Sequence, residues 1–192
     1  SVGLDVVVSE NINLYSIPLA YGKPMRVFGG DEYLNLTVDI PYFNFESTPD
    51  SESGLGDIAL AAEYFIEKDG SILKAEFNLK VPSGDEKIGL GSGSTDVGFA
   101  LTGRKRVGEI GFNTSSGYII RGEATINNAD INYGNVFNIA GGAEYQLVKH
   151  LWLGANVAYV HTGTSEFSGG AETDGLQTLD VIPNIAYHIN TD

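Results

Sequence analysis

Cysteine is missing from the 192 residues of this sequence, and methionine occurs once. Without cysteine there is neither a disulfide framework nor a thiolate metal site. No run of about 18 apolar residues occurs either, so the sequence does not predict a transmembrane helix. Basic residues are few, with 11 Lys and Arg against 25 Asp and Glu, and the formal net charge is -14. A charge of this sign and size repels nucleic acid and excludes it as a partner.

Glycine and aromatic residues are abundant: the chain has 25 Gly, 10 Tyr and 9 Phe. This composition, with few long helix-forming segments, predicts many strands joined by turns. The length of the chain predicts a single domain that covers residues 1–192.

The segment Ser71–Pro82 has the clearest periodicity. Apolar residues such as Leu73 and Phe77 alternate in it with charged residues such as Lys74 and Glu76. Alternation with a period of two indicates a strand. The pattern lasts for about nine residues, and a tilted strand of about 9–11 residues is long enough to cross a bilayer.

The same alternation recurs along most of the chain. It is clear in YLNLTVDIPYF, GDIALAAEYFIE, FNIAGGAEYQLV and LQTLDVIPNIAYHI, and weaker over residues 96–104, 109–121 and 151–161. The first twenty residues predict two strands that turn near Ser9 to Asn11. In total we expect about ten strands, within a range of about 8 to 12.

Short and long connections alternate between the predicted strands. The short ones are Glu67–Gly70, Lys105–Gly108 and Val148–His150, and the long polar ones lie near 46–56, 83–95, 122–136 and 162–175. This alternation is typical of up-and-down bacterial barrels, whose short turns face the periplasm and whose long loops are extracellular. The connection 22–32 is an exception, because it is long but lies on the predicted short side. Both chain ends are predicted to be periplasmic.

Alternation alone does not show whether the apolar face contacts lipid or a second sheet. Aromatic residues near the strand ends favour lipid, because they match interfacial girdles; they are Tyr42, Phe43, Tyr64, Phe65, Tyr145, Trp152, Tyr159 and Tyr187. The opposite face carries charged residues, which a sandwich core would bury at a large cost. We therefore predict an all-β, up-and-down antiparallel transmembrane β-barrel in a Gram-negative outer membrane. A soluble β-sandwich binding module is the alternative.

A resemblance to a known family begins at SGLGDIALAAEYFI and continues through LKVPSGD, GLGSGSTDVGFALTGRKR and AGGAEYQLVKHLWLGANVAY. These segments resemble the outer-membrane barrels of the family named for a meta-pathway of phenol degradation. The resemblance implies a porin-like or transporter-like barrel, sometimes associated with uptake of aromatic or hydrophobic compounds. The chain departs from such barrels at its end, where NTD stands in place of a terminal aromatic strand, and this leaves the strand count open.

Charged residues on the predicted interior face are the candidate functional residues. The pore-lining candidates are Lys74, Glu76, Lys80, Arg121, Glu144 and Asp180. They either pair across the interior and fill it, or line a polar path that selects solutes by charge. Small residues on the same face leave room for such a path; they are Ala59, Ala61, Gly98, Ala100, Gly142 and Gly154. A barrel of about ten strands is narrow, so both a filled and a conducting interior stay open.

Other motifs predict no cofactor, metal or catalytic activity. The glycine-rich stretch Gly89–Ser94 precedes no helix that would bind phosphate, and we interpret it as a mobile extracellular loop. His150, His161 and His188 lack metal-ligand spacing. No GxSxG motif marks a nucleophile, so the chain is not predicted to be an enzyme.

Outer-membrane lipid, lipopolysaccharide and a small-molecule solute are the expected partners. The leading function is a channel or transporter for small solutes, with hydrophobic or aromatic compounds as the candidate class. An alternative is a structural or docking barrel with a filled lumen, whose acidic extracellular loops bind a partner such as a basic surface protein. A homo-oligomer is also left open. Acidic loop residues are the type that collects Ca²⁺ through oxygen ligands, but they form no EF-hand-like pattern, and we interpret them as solvated loop residues; they are Asp31, Glu32, Asp50, Glu52, Asp85, Glu86, Glu166, Glu172 and Asp174.

Overall fold

The computed structural model describes residues 5–9, 12–25, 31–46, 51–126 and 129–187. They form fifteen strands: β1 (Asp5–Ser9), β2 (Ile12–Met25), β3 (Asp31–Glu46), β4 (Ser51–Leu55), β5 (Ile58–Lys68), β6 (Ser71–Val81), β7 (Asp96–Val107), β8 (Ile110–Arg121), β9 (Glu123–Ile126), β10 (Ala129–Asn132), β11 (Val136–Val148), β12 (Leu151–Thr162), β13 (Ser165–Phe167), β14 (Ala171–Thr173) and β15 (Leu176–Tyr187). One turn of 3-10 helix covers Glu86–Ile88. The described part of the chain has no helix able to cross a lipid bilayer.

Ten of the strands form one antiparallel meander in the order β1-β2-β3-β5-β6-β7-β8-β11-β12-β15. β4 pairs with the far end of β3, and β9, β10, β13 and β14 form a second, small sheet. Neighbours in the meander follow one another along the chain, apart from these short additions. β1 and β15 stand at the two ends of the series, and the described pairings do not join them. This is the up-and-down topology that the connection lengths predict.

The ten-strand meander is called the wall below. The lengths of its strands and the geometry of its turns agree with a structure that spans a membrane. β5 and β6 have 11 residues each and β7, β8, β12 and β15 have 12. About 9–11 residues are enough for one tilted crossing. The turn at Asp69 and Gly70 has φ of 50° and 69°, which two-residue hairpin loops of type I′ require. Tight turns of this kind fix the register of the strands that follow.

Within the described residues, the apolar face of the wall contacts no second layer of protein. Only three hydrophobic residues are buried in the described part of the chain: Leu90, Ala124 and Trp152. Large apolar side chains on one face of the meander are instead 39% to 75% exposed, and include Leu36, Leu73, Phe77, Phe99, Leu101, Phe112, Tyr145, Leu153, Val157, Val181 and Ile185. A β-sandwich would cover these residues with its other sheet. The sandwich alternative is therefore wrong, and this face is the lipid-facing surface of a barrel.

Three expectations about connections need correction. β2 ends at Met25 and β3 begins at Asp31, so the connection 22–32 is not an exception, although residues 26–30 lie outside the described part of the chain. Glu32 belongs to β3, is 1% exposed and accepts a hydrogen bond from Tyr64, so it is not an acidic loop residue. The long loops near 46–56, 122–136 and 162–175 contain the short strands β4, β9, β10, β13 and β14.

Candidate pore lining

All six predicted pore-lining residues lie on the face opposite the lipid-facing side chains. The strand register connects Lys74 on β6 to Asp180 on β15 through a row of directly paired residues, namely Thr102, Ser115, Ala140 and Ala158. Glu76 and Lys80 follow Lys74 at even spacing, and Lys80 pairs through Asp96 with Arg121. Glu144 lies four residues after Ala140 on the same strand, and alternation therefore places it on the same face.

Lys74 and Glu76 form a charged cluster with Glu63 near the middle of the wall. Lys74 Nζ lies 2.7 Å from a carboxylate oxygen of each glutamate. Asn78 Nδ2 donates to the other oxygen of Glu76 at 2.6 Å. The three charged side chains are 24% to 32% exposed, so they are half-buried. Because one lysine stands beside two glutamates, the cluster has the formal negative charge of a single carboxylate.

Glu144 belongs to a second cluster toward the short turns. Arg104 donates to Glu144 Oε1 at 2.6 Å, and Arg106 donates to Gln146. The Arg106 guanidinium also lies 4.4 Å from the ring centre of Trp152, which is 8% exposed. Trp152 is therefore an interior residue and does not belong to the predicted aromatic girdle. Phe65 is also interior, because it pairs directly with Lys74 in the strand register. Its ring stacks on that of Tyr33, which pairs with it from β3, with 5.0 Å between the ring centres.

Lys80 belongs to a third cluster at the end with the long connections. Lys80 Nζ lies 2.6 Å from Asp96 Oδ2, 2.6 Å from Ser92 Oγ and 3.9 Å from Asp57 Oδ2. Ser94, which is fully buried, donates to Asp96 Oδ1 at 2.9 Å. The cluster thus ties the loop of residues 82–95 to strands β6 and β7 and to Asp57, which directly precedes β5.

Asp57 is the main anchor of that loop. One oxygen accepts hydrogen bonds from Ser92 N and Ser92 Oγ, both at 2.7 Å. The other accepts from the backbone N–H groups of Ser83 and Gly84, each at 3.2 Å. Burial alone raises the pKa of Asp57, but these hydrogen bonds and the charge of Lys80 outweigh it and hold that pKa below its ordinary value. The predicted mobile loop is therefore a segment fastened to the wall.

Arg121 and Asp180 lie outside the ion pairs formed among the described residues. The Arg121 guanidinium lies 4.6 Å from the ring centre of Tyr133, whose hydroxyl donates to Ser92 O at 3.5 Å. Asp180 is exposed on β15. The structure thus brings four of the six predicted residues into charged clusters and leaves these two apart from them.

Asp57, Glu63, Asp96 and Arg104 were not among the predicted pore-lining residues. The alternation in GDIALAAEYFIE places Asp57 and Glu63 on the face opposite the apolar one, and this was the signal that could have found them. Asp96 follows a glycine-rich stretch, and only the strand register places Arg104 beside Glu144. An interior cavity of about 440 Å³ adjoins the first and third clusters; Ala59, Glu76, Asn78, Lys80, Asp96 and Asn138 contribute to its lining.

No group of three metal-ligating side chains occurs among the residues that the structure describes. His150 lies in a short turn, and His161 is near the far end of β12. His188 lies outside the described residues. Gly89–Ser94 is followed by β7 and not by a helix, so it offers phosphate no helix N-terminus.

The comparisons with known proteins agree with this architecture. An outer membrane channel from Pseudomonas putida F1, known from a crystal structure, has a similar fold with a TM-score of 0.67 and 14% sequence identity. The alignment covers 94% of this chain and 73% of that protein. No curated protein sequence matches the chain. The sequence model of the family described as "Putative MetA-pathway of phenol degradation" matches residues 25–191. The chain belongs to this family and has the fold of an outer-membrane β-barrel.

Proposed function

We propose that this barrel is a passive channel that carries small solutes across the outer membrane through its polar interior. The observation that carries the proposal is the contrast between the two faces of one wall. The lipid face carries mostly apolar side chains, whereas the interior face combines paired charges, amides and small residues around a cavity of about 440 Å³. An interior of this kind stays hydrated, which a conducting path needs.

Two further findings support a channel for small solutes. The structurally similar protein from Pseudomonas putida F1 is described as an outer membrane channel. The family description refers to phenol degradation, which suggests small aromatic compounds as one class of solute. The interior cavity of about 440 Å³ has the volume of a site for a single small molecule. The proposed activity is non-enzymatic, because transport of this kind needs no bond to be made or broken.

Conductance in planar bilayers tests the proposal. We expect the purified chain to produce discrete single-channel steps in KCl and to permit swelling of liposomes in a small sugar. Ala100→Trp places a large ring on the interior face and should reduce the conductance severalfold. Leu101→Trp, one residue further along β7 and on the lipid face, is the matched control and should conduct normally. Absence of both conductance and swelling for the folded wild-type barrel would overturn the proposal.

A docking barrel is the second candidate, and the fastened loop favours it. Asp57 and Lys80 hold residues 82–95 against the wall at the end with the long connections. The acidic surface around the loop suits a basic partner. A folded wild-type barrel that does not conduct, yet captures a stoichiometric basic protein, would favour docking over transport.

A further inference from the structure

Several interior asparagines lie directly opposite a glycine of a neighbouring strand, and in four of these pairs the amide lies against the glycine. The register pairs are Asn35 with Gly22, Asn138 with Gly117, Asn156 with Gly142, and Asn184 with Gly154. In each pair the glycine precedes the asparagine in the chain. The four pairs lie on the same face as the charged clusters, because their residues alternate with the lipid-facing ones.

The asparagine amides lie against the glycines that face them. A Cβ atom added to Gly22, Gly117, Gly142 or Gly154 would come within 2.7, 2.9, 2.1 or 2.6 Å of the opposite amide. Any larger residue at these positions would therefore push the amide away from the wall. The glycines keep the interior wide while the amides still line it.

These amides have hydrogen-bonding groups that the protein leaves unused. None of Asn35, Asn138, Asn156 and Asn184 forms a side-chain hydrogen bond with another residue in the described part of the chain, and all four are half-buried. Buried and half-buried polar groups normally find partners in protein or water. The charged side chains nearby differ, because Lys74, Arg104 and Lys80 are each bound to carboxylates.

Three of the amides form a series down the interior. Asn138 lies near the start of β11. Asn156 on β12 pairs with Gly142 of β11. Asn184 on β15 pairs with Gly154 of β12, which in turn pairs with Glu144 of β11. Their levels on β11 therefore extend over six residues, or about 20 Å along the strand. The series runs across three adjacent strands, from the end with the long connections toward the end with the short turns.

We propose that Asn138, Asn156 and Asn184 are the specificity-determining residues of the channel and select small neutral solutes that carry hydroxyl groups. This inference rests on the proposed channel function. An amide both donates and accepts hydrogen bonds. It can therefore take the place of a water molecule bound to either the hydrogen or the oxygen of a solute hydroxyl group. Apart from Arg121 and Asp180, the predicted pore-lining residues are paired with opposite charges, and a paired charge attracts an ion less strongly than a free one. Selection along this wall therefore depends on hydrogen bonding and not on charge.

The triple variant N138A/N156A/N184A tests the role of the amides. The readout is the rate of liposome swelling in arabinose divided by single-channel conductance in KCl. One hydrogen bond is worth about two- to tenfold in an equilibrium, so this ratio should fall at least about threefold. Ser116→Ala, on the lipid face of β8, is the matched control and should leave the ratio unchanged. A ratio that stays the same or rises in the triple variant overturns the inference.

A second pair of variants tests the geometry and does not depend on the triple variant folding. In Gly117→Ala the three atoms nearest to the new methyl group all belong to the side chain of Asn138, at 2.9 to 3.3 Å, so we expect the amide to move into the interior. The KCl conductance should fall, and adding Asn138→Ala should restore it. Gly141→Ala on the lipid face has no neighbour closer than 3.6 Å and serves as control. If Gly117→Ala conducts like wild type, the amide does not limit the opening and the inference fails.

The two proposals fail in different ways. A wild-type barrel that shows the heat-dependent gel migration of a folded barrel, but neither conductance nor swelling, overturns the channel function and with it this inference. A conducting wild type whose asparagine variants keep the wild-type ratio overturns only the role of the amides.

Discussion

Asp57 accepts four hydrogen bonds that hold residues 82–95 to the wall, and its side chain is 9% exposed. We expect Asp57→Asn to loosen this loop, because the amide is neutral and its NH₂ group faces other donors. Hydrogen bonds to a charged group contribute about 2 kcal/mol. Trypsin cleavage after Lys87, an exposed residue of the loop, should therefore accelerate at least about tenfold.

Glu52→Gln is the matched control for this prediction, because Glu52 is an exposed carboxylate on the adjacent strand β4. Cleavage of this variant should proceed at the wild-type rate. Equal cleavage rates in Asp57→Asn and wild type would show that Asp57 does not fasten the loop.

The lowered pKa of Asp57 predicts a pH dependence for the same loop. The pKa is lower in the fastened loop than in a released one, so the stabilisation is complete above the ordinary carboxyl pKa and is lost as the pH falls through the lowered value. Channel noise and conductance should be constant from pH 7 down to the ordinary aspartate pKa of about 3.9 and change only at pH values below it. Asp57→Asn should lack this transition, and a wild-type transition near neutral pH would contradict the assignment.

Glycines separate the wall from the small sheet, which comprises β9, β10, β13 and β14. A Cβ on Gly134 would lie 2.0 Å from the carbonyl oxygen of Gly163, whereas a Cβ on Gly163 has no neighbour closer than 3.5 Å. Gly134→Ala should therefore force the chain apart at this point, at a cost of about 1–3 kcal/mol, while Gly163→Ala should be tolerated. Guanidinium unfolding in lipid vesicles measures both. Equal stability of the two variants would refute this account of the junction.

The alternation in Ser71–Val81 was sufficient to predict β6 and to place Lys74, Glu76 and Lys80 on its interior face. The partners of these residues were not predictable in the same way. Glu144 lies 40 residues from Arg104, and only the register set by turn lengths brings the two together. Strands β13 and β14 have three residues each, too few to show a period of two. The prediction therefore succeeded for long strands and failed for short strands and for pairs across them.

The whole wall is stable only if its apolar face contacts hydrocarbon, and a pair of substitutions tests this. Leu101 is 55% exposed on the lipid face near the centre of β7, and Thr102 is on the interior face. Leu101→Arg should lower the free energy of unfolding in vesicles by about 2–4 kcal/mol. Thr102→Arg should cost less, because the interior is polar. Fluorescence of Trp152, the sole tryptophan, reports the unfolding. A larger loss for Thr102→Arg would reverse the assignment of the two faces.

Charge is distributed unequally between the two ends of the molecule. At the end with the long connections, the described acidic residues Glu52, Asp85, Glu86, Glu123, Asp130, Glu166, Glu172 and Asp174 greatly outnumber the basic ones. At the end with the short turns, acidic and basic residues are more evenly balanced; they include Glu67, Asp69 and Glu109 on the one hand and Lys68, Lys105 and Lys149 on the other. An acidic opening attracts cations and repels anions before they reach the neutral amide series. The opening should therefore select by charge, and the interior by hydrogen bonding.

This separation predicts a cation preference that depends on salt. In a KCl gradient at low ionic strength the reversal potential should favour K⁺, and the preference should weaken toward 1 M, where the screening length falls to about 3 Å. The double variant E172Q/D174N should reduce the preference without changing the arabinose ratio, since both residues lie outside the wall. Glu109→Gln, at the short-turn end, is the control. A cation preference that persists in 1 M salt would instead place charge selection inside the barrel, at Asp180 or the glutamates beside Lys74.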